Sequence, residues 1–317
     1  MLFVGALVFT ACGDDKVDEA NSIFDTDPVQ RNEFDNWLMA NYTTPYNIQF
    51  MYRYVDSETN NTYDVAPSKL NKAKAMAILI KHVWIEAYNE AKGDGGAFMK
   101  TYTPRVLQML GSYQYKGDGS RTLGTAEGGL KVTLFGCNFL DENNLWIDQV
   151  NPYPNTTSVP MDMNYWFFHT MHHEFCHILT QTKDYDTSFQ DISAANQRNG
   201  DWVNVKDSDA PSYGFVSGYA TSEYNEDFAE IFSTYVTHTQ EAWDSIVADA
   251  AIMKNDTKIA TRSLTADDDI KQKLAIVKSY FKDSWDLDLD QLRSIILRRS
   301  QEVLDKGLDI KNYKLND

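Results

Sequence analysis

Residues 171–179 read Met-His-His-Glu-Phe-Cys-His-Ile-Leu and contain the pattern H-E-x-x-H, from His173 to His177. In a helix, residues four positions apart lie one above the other on the same face, so the two imidazoles can converge on one metal ion. Glu174 lies beside that face, where its carboxylate can reach a water on the metal rather than the metal itself. Two imidazoles also leave room for a third ligand and a water, which suits zinc. The stretch therefore predicts a zinc-binding helix.

The segments on both sides of this motif are apolar. Residues 165–168 read Tyr-Trp-Phe-Phe and residues 178–179 read Ile-Leu, so we expect a buried helix. Buried imidazoles cost free energy unless something pairs with them, and a metal is the simplest partner. His169 lies eight residues before His177, about 12 Å along the helix axis, which is too far for one ion. We expect His169 to lie in the core or to support a ligand from behind, and we do not expect His172 to be a ligand.

Length and composition limit the classes of protein that fit. The chain has 317 residues, 43% of them hydrophobic, which is enough for two domains or one large one. The formal charge of −17 excludes nucleic acid as a partner, because such a surface repels phosphates. The cysteines, Cys12, Cys137 and Cys176, form no C-x-x-C pair and no disulfide framework.

The start of the chain predicts export. Residues 1–11 form an apolar run too short to span a bilayer, as in the core of a signal peptide. Residues 9–13, Phe-Thr-Ala-Cys-Gly, resemble a bacterial lipobox, in which the cysteine, here Cys12, becomes acylated. Asp14 and Asp15 resemble the acidic tether of lipoproteins on the surface of gut-type bacteria. We therefore expect a signal peptide, a lipidated Cys12 with a tether to residue 27, and anchoring to the outer membrane or cell surface; an ordinary secretory signal is the alternative.

The rest of the chain predicts an α+β fold that is mostly helical. Residues 28–317 are expected to form one domain, with an N-terminal lobe to residue 182 that holds a small mixed sheet, and a helical C-terminal lobe. Helices are expected at residues 28–40, 67–91, 223–240, 244–253, 267–282 and 290–306, and strands at residues 46–56, 107–115 and 130–139. Residues 183–219 are polar and lack periodicity, which predicts a long functional rim beside the metal.

A catalytic zinc needs a third protein ligand. The extended pattern H-E-x-x-H-x-x-G-x-x-H fails here, because Thr180 and Lys183 stand where the glycine and the third histidine would be. A second helix offers Glu226 and Glu230, which share one face at a spacing of four residues. Two such carboxylates repel each other unless a cation or a histidine lies between them. The residues alone predict that this helix faces the metal, with either carboxylate as the ligand.

The combined motifs resemble a known family. The H-E-x-x-H helix is followed by Y-x-x-x-x-x-x-E-x-F-A-E-x-F, in which Glu226 stands 49 residues after His177. Over about 70 residues, 166–235, this resembles the gluzincin catalytic domain of anthrax lethal factor-type metallopeptidases. It is also similar to zinc metallohydrolase lipoproteins associated with outer-membrane nutrient importers. The resemblance implies that Glu226 is the zinc ligand, that Glu230 orients a ligand histidine, and that Tyr219 donates to the developing oxyanion.

This resemblance implies a zincin-like fold and a zinc-dependent hydrolase with one Zn²⁺ per chain. A peptide or protein is the expected substrate, with Glu174 as general base, and an outer-membrane nutrient importer is an expected partner. Residues 128–134 stand where zinc peptidases usually carry the strand that pairs with an extended substrate. An ordinary sheet strand is the alternative for that segment.

Two other classes of function fit parts of the sequence. A surface binding lipoprotein could carry a structural or a vestigial zinc, and a structural zinc would need a fourth protein ligand. A glycan-capturing lipoprotein would carry aromatic side chains stacked in an exposed groove away from Glu174. Neither class explains why a glutamate stands next to the first ligand histidine.

Overall fold

A computed structural model describes residues 30–59, 62–117, 121–127, 129–153, 156–253 and 263–317. The described residues are mostly helical with a small mixed sheet, so the predicted α+β class is confirmed. The four strands of that sheet all lie before residue 135, in the predicted N-terminal lobe. The predicted signal peptide, Cys12 and the tether lie outside the described residues.

The strands are short. They are β1 (Gln49–Met51), β2 (Val106–Met109), β3 (Gln114–Tyr115), β4 (Arg121–Thr122), β5 (Gly124–Glu127), β6 (Lys131–Leu134), β7 (Leu308–Asp309) and β8 (Lys314–Leu315). Four of them form one sheet in the order β1-β2-β6-β5, in which β5 runs antiparallel to β6 and the other pairs are parallel. Strand β5 is therefore an edge strand, which leaves one row of its backbone groups unpaired within the sheet.

The expected strands locate the sheet but differ from it in detail. Each predicted segment contains a real strand, yet β1 covers only three residues of the expected 46–56. Strand β6 is paired on both sides, by β2 and by β5. It cannot accept a substrate strand, so residues 131–134 are an ordinary sheet strand. The expectation missed β5, whose sequence Gly-Thr-Ala-Glu contains one β-branched residue and little apolar alternation.

The helices follow their periodicity closely. They are α1 (Glu33–Leu38, with a wide turn at Met39–Thr43 and a last segment Thr44–Tyr46), α2 (Leu70–Leu79, with a wide turn at Ile80–Ile85 and a last segment Glu86–Lys92), α3 (Ala97–Tyr102), α4 (a wide turn Asn164–His169, then Thr170–Thr182), α5 (Tyr224–Thr237), α6 (Gln240–Met253), α7 (Ala266–Trp285) and α8 (Leu289–Lys306). Helix α1 starts later than expected because the Asn32 side chain caps it by accepting the N–H of Asp35. In the described part of the chain, no helix is long and apolar enough to cross a membrane.

Aromatic side chains fix the helices that carry the site. Phe175 of α4 packs edge-on against Trp84 of α2, with ring centroids 5.2 Å apart. Phe232 of α5 stacks on Phe281 of α7 at 4.2 Å. Burial of each such side chain contributes roughly 1.5–3 kcal/mol to stability. Helices α4 and α5 also pack against each other, which brings polar side chains of the two helices to one place.

Candidate metal centre

Helices α4 and α5 bring three side chains to one point. Nε2 of His173 lies 2.9 Å from Oε2 of Glu226, and Nε2 of His177 lies 3.2 Å from the same oxygen. The two Nε2 atoms are 3.0 Å apart. The i,i+4 spacing on α4 sets the two imidazoles one above the other, and the packing of α5 against α4 supplies the carboxylate.

These atoms fit a tetrahedral cation. Zinc bonds of about 2.0–2.1 Å place neighbouring ligand atoms roughly 3.3 Å apart, close to the observed separations. Among the described His, Cys, Asp and Glu side chains, this metal-binding group has three members: His173, His177 and Glu226. The carboxylate of Glu174 is not in the group. A three-ligand site leaves a coordination position open, as catalytic zinc sites do.

Glu230 lies one helical turn beyond Glu226 and holds His173 from behind. Its Oε1 lies 2.8 Å from His173 Nδ1, and its Oε2 accepts a hydrogen bond from Ser217 Oγ at 2.5 Å. Although burial raises the pKa of Glu230, His169 and His173 lower it to about 2. Glu230 is therefore a fixed anion that directs Nε2 of His173 towards the other two ligand atoms.

The charges of the centre favour a cation. Burial alone lowers the pKa of His173, but Glu226 and Glu230 outweigh burial and raise it to about 10. Burial raises the pKa of Glu226, yet the two histidines bring it well below its usual range. Two carboxylates around these imidazoles thus attract positive charge, which either a proton or a metal ion can supply.

Glu174 is held beside the group by strand β5. Its side chain is 9% exposed, and burial raises its pKa even though His173 lowers it. The backbone N–H of Ala126 donates a hydrogen bond to its carboxylate. This close approach needs Gly124, because a Cβ there would lie 2.4 Å from Thr170 Cγ2. A carboxylate with a raised pKa, outside the ligand group, suits proton transfer.

Tyr219 lies beside this group, in the short 3₁₀ turn Tyr219–Thr221, with its ring centroid 5.8 Å from that of His173. Its hydroxyl is hydrogen-bonded to Glu226, and burial, followed by the charge of Glu226, raises its pKa far above the usual range. Trp202 packs edge-on against the ring at 4.8 Å. The phenol thus stays protonated and can donate a hydrogen bond in the cleft.

The two further histidines on α4 differ in their surroundings. His169 Nε2 lies 2.9 Å from Ser233 Oγ and 3.6 Å from Glu230 Oε1, outside the ligand group. His172 is fully buried on another face, with Nδ1 2.9 Å from the Tyr88 hydroxyl. His169 therefore supports Glu230, and His172 belongs to the core.

A buried ion pair behind α5 was missed by the sequence analysis. Lys273 of α7 is 0% exposed, and its Nζ lies 2.6 Å from Asp227 Oδ2. The same Nζ donates to the Gly214 carbonyl at 2.8 Å and lies 3.8 Å from the centroid of the Phe215 ring. Burial raises the pKa of Asp227 and lowers that of Lys273. The sequence does contain a signal for this pair: Lys273 stands on the apolar stripe of the helix, between Ile270 and Val277.

The three ligand residues, Glu174 and Tyr219 all line one cavity of about 1450 Å³. Strand β5 forms one wall, through Gly124, Thr125 and Ala126. Many residues of the long segment between α4 and α5 also line the cavity. The expected rim at residues 183–219 thus borders the candidate metal centre.

The chain is similar to known proteins along most of its length. Residues 27–290 match the family model described as "putative zinc-binding metallo-peptidase". The chain also resembles the crystal structure of a protein from Bacteroides caccae described in the same words. The two are 37% identical in sequence, the match covers 91% of this chain and 98% of that chain, and the TM-score is 0.67. No curated protein matches the chain.

Proposed function

We propose that this chain, which belongs to the family of zinc-binding metallo-peptidases, hydrolyses peptide bonds with one zinc ion per chain. One observation carries the proposal: His173, His177 and Glu226 converge on one point, while the buried carboxylate of Glu174 stays outside that group. A structural zinc would use a fourth protein ligand, whereas the described residues supply three.

The side chains around the centre have distinct roles in this proposal. A zinc ion bound there would act as a Lewis acid towards the scissile carbonyl and would lower the pKa of a water. Glu174 takes the proton from that water and passes it to the leaving amine. The hydroxyl group of Tyr219 donates a hydrogen bond to the oxyanion that develops on the former carbonyl oxygen. Glu230 holds the tautomer and orientation of His173.

Strand β5 supports a peptide as the substrate. It is the edge of the sheet, it lines the cavity, and it donates the Ala126 N–H to Glu174. An extended peptide can add to such an edge by main-chain hydrogen bonds, which places its carbonyls along the cleft. The strand of the protein that pairs with the peptide is therefore β5. The sequence analogy had placed this role on residues 128–134, which contain the neighbouring strand β6.

The test is zinc content measured together with cleavage of a mixed-peptide library by the purified full chain. We expect about one zinc per chain, loss of cleavage after chelation, and recovery when zinc is returned. If the protein holds stoichiometric zinc but cleaves no peptide, the remaining interpretation is a binding protein whose zinc is structural or vestigial.

Glycan capture is a second candidate, because one aromatic cluster lies outside the catalytic cavity. Phe139 is 52% exposed and stacks on Tyr113 with ring centroids 4.8 Å apart and an angle of 5°. The exposed Tyr115 packs edge-on against the same tyrosine. Sugar rings stack on such platforms. Loss of oligosaccharide binding in Phe139→Ala would support this function, and no binding by the wild type would reject it.

We also propose that Cys12 is lipidated and anchors the protein at the outer membrane or cell surface, where an importer could take up the products. The lipobox-like residues 9–13 motivate this proposal. Because one acyl chain anchors only marginally, stable attachment needs the several chains of a bacterial lipoprotein. Cys12→Ala should move the protein from the membrane fraction to the soluble fraction; unchanged fractionation would contradict the anchor.

A further inference from the structure

The cavity around the metal centre is acidic. Eight of the carboxylate side chains that the structure describes line it, against three lysine or arginine side chains. Several of the acids have other tasks. Asp162 Oδ1 accepts the backbone N–H groups of Asp148 and Asn164, and Asp148 in turn accepts those of Val150 and Asn151. These carboxylates hold turns together and are already hydrogen-bonded.

Asp207 differs from them in its position. Contacts run from His173 to Glu230 and on to Ser217, and the next residue, Gly218, donates its N–H to Asp207 Oδ1 at 2.8 Å. Three contacts thus connect His173 to Asp207 by way of Glu230 and the adjacent residues Ser217 and Gly218, and Asp207 lines the same cavity as Tyr219. A group bound at Asp207 would be part of the same substrate that reaches the metal centre.

Asp207 also has no counter-ion among the described side chains. Within the part of the chain that the structure describes, it takes part in no ion pair, and its hydrogen bond comes from the Gly218 backbone. Burial raises the pKa of Asp207, and the nearby charge of Glu230 raises it further. A positively charged group in the cavity would offset both effects, because a half-buried carboxylate is stabilised by a paired cation.

Two tyrosines supply the walls that a long basic side chain needs. Tyr153 and Tyr165 line the same cavity as Asp207; burial raises the pKa of both hydroxyls, and Asp207 is among the charges that raise it further. Tyr153 is fixed by a hydrogen bond to Asp249 at 2.7 Å. Arginine and lysine bury their aliphatic stems along such aromatic surfaces while the charged end meets a carboxylate.

We propose that Asp207 is a specificity residue that receives an arginine or lysine side chain of the substrate, at a subsite next to the metal centre. This proposal rests on the proposed peptidase function for its biological meaning. The binding of a cationic peptide, however, can be measured without turnover, so the two can fail separately.

The test compares peptides that carry arginine or citrulline, its neutral isostere, at each position around a cleavable bond. Binding is measured with the zinc-loaded Glu174→Gln protein, and kcat/KM with the protein that has Glu174. We expect arginine to be preferred about 10- to 100-fold at one position, as for a charge-assisted hydrogen bond in a partly buried site. Asp207→Asn keeps the Oδ1 acceptor for Gly218 but removes the charge, and it should bring the ratio close to one.

Asp209→Asn is the matched control, because Asp209 is an exposed aspartate of the same segment that does not line the cavity. It should keep the arginine preference.

If Asp207 only holds the segment that carries Tyr219, Asp207→Asn lowers kcat/KM for both peptides and leaves their ratio unchanged, which overturns the proposal. Equal binding of arginine and citrulline peptides by the wild-type cavity also overturns it. Cleavage without an arginine preference would support the peptidase function and reject the role of Asp207. Arginine-selective binding without any cleavage would support the role of Asp207 and reject the peptidase function.

Discussion

Oε1 of Glu230 lies 2.8 Å from Nδ1 of His173, on the side of the imidazole away from the shared point of the three ligand atoms. Glu230 is 5% exposed, so water screens this contact little. The contact prepares His173 to act as a metal ligand, as proposed, because it fixes both the ring orientation and the nitrogen that stays free.

Glu230→Gln should weaken zinc binding about 10- to 100-fold, the usual cost of losing an outer partner of a ligand histidine. The substitution keeps the side-chain shape and the ability to accept from Ser217 Oγ but removes the negative charge. Zinc affinity is measured by competition with a coloured chelator. An unchanged affinity would mean that Glu230 does not act through His173.

Glu226→Ala should abolish stoichiometric zinc binding, because an incomplete set of ligands loses most of its affinity. Glu223→Ala is the control. Glu223 caps α5 by accepting the N–H of Glu226, so its loss should cost about 1 kcal/mol of stability and leave zinc bound. Zinc content by elemental analysis distinguishes the two variants. A Glu226→Ala protein that keeps one zinc per chain would contradict this ligand assignment.

Glu174→Gln should keep zinc content and melting temperature near wild type while turnover falls by a factor on the order of 100 to 10,000. The amide preserves size and can still accept the Ala126 N–H, but it cannot act as the base. Rates are measured on any peptide that the wild type cleaves. Release of zinc from this variant would show that Glu174 is a ligand, contrary to its position outside the ligand group.

Tyr219→Phe should leave zinc bound and cost about 3 kcal/mol in kcat/KM, as the loss of one oxyanion donor does. Tyr224→Phe provides a comparison at the next tyrosine along the chain, whose side chain is exposed. We expect that variant to stay within about twofold of wild type. Equal losses in the two variants would indicate a general disturbance of the rim rather than a lost donor.

Lys273→Met should destabilise the protein by about 3–5 kcal/mol, because it leaves the Asp227 carboxylate buried without its cation. Lys282→Met is the control on the same helix: Lys282 and its partner Asp286 are both exposed, so loss of this pair should leave the unfolding midpoint close to that of the wild type. Urea unfolding of the zinc-loaded proteins measures both values. Similar midpoints for the two variants would show that the buried pair contributes little.

Much of the helical framework could be predicted from the sequence. Helix α2 runs from Leu70 to Lys92, against an expected 67–91, and ends where Gly93 adopts a positive φ of 60°. Helices α5 to α8 likewise begin and end within a few residues of their expected bounds, except that α6 starts four residues earlier. These signals are local, because capping, glycine at a helix end and the 3.6-residue period all act between residues a few positions apart.

The sequence by itself also determined which residues can meet at a metal. The four-residue spacing of His173 and His177, and of Glu226 and Glu230, sets each pair on one helical face whatever the rest of the chain does. Tertiary structure alone decided that Glu226 reaches the imidazoles while Glu230 stands behind His173.

Tertiary structure also decided the edge position of β5, the pairing of Lys273 with Asp227, and the place of Asp207 beside the cleft. In the last two cases the partners are far apart in sequence: 46 residues separate Lys273 from Asp227 and 11 separate Asp207 from Gly218. Such contacts carry no periodic signal, because they form when packed apolar faces bring distant backbone segments together. The local spacing of side chains on a helix is inherent in the chain, whereas the choice between two carboxylates depends on how one helix packs against another.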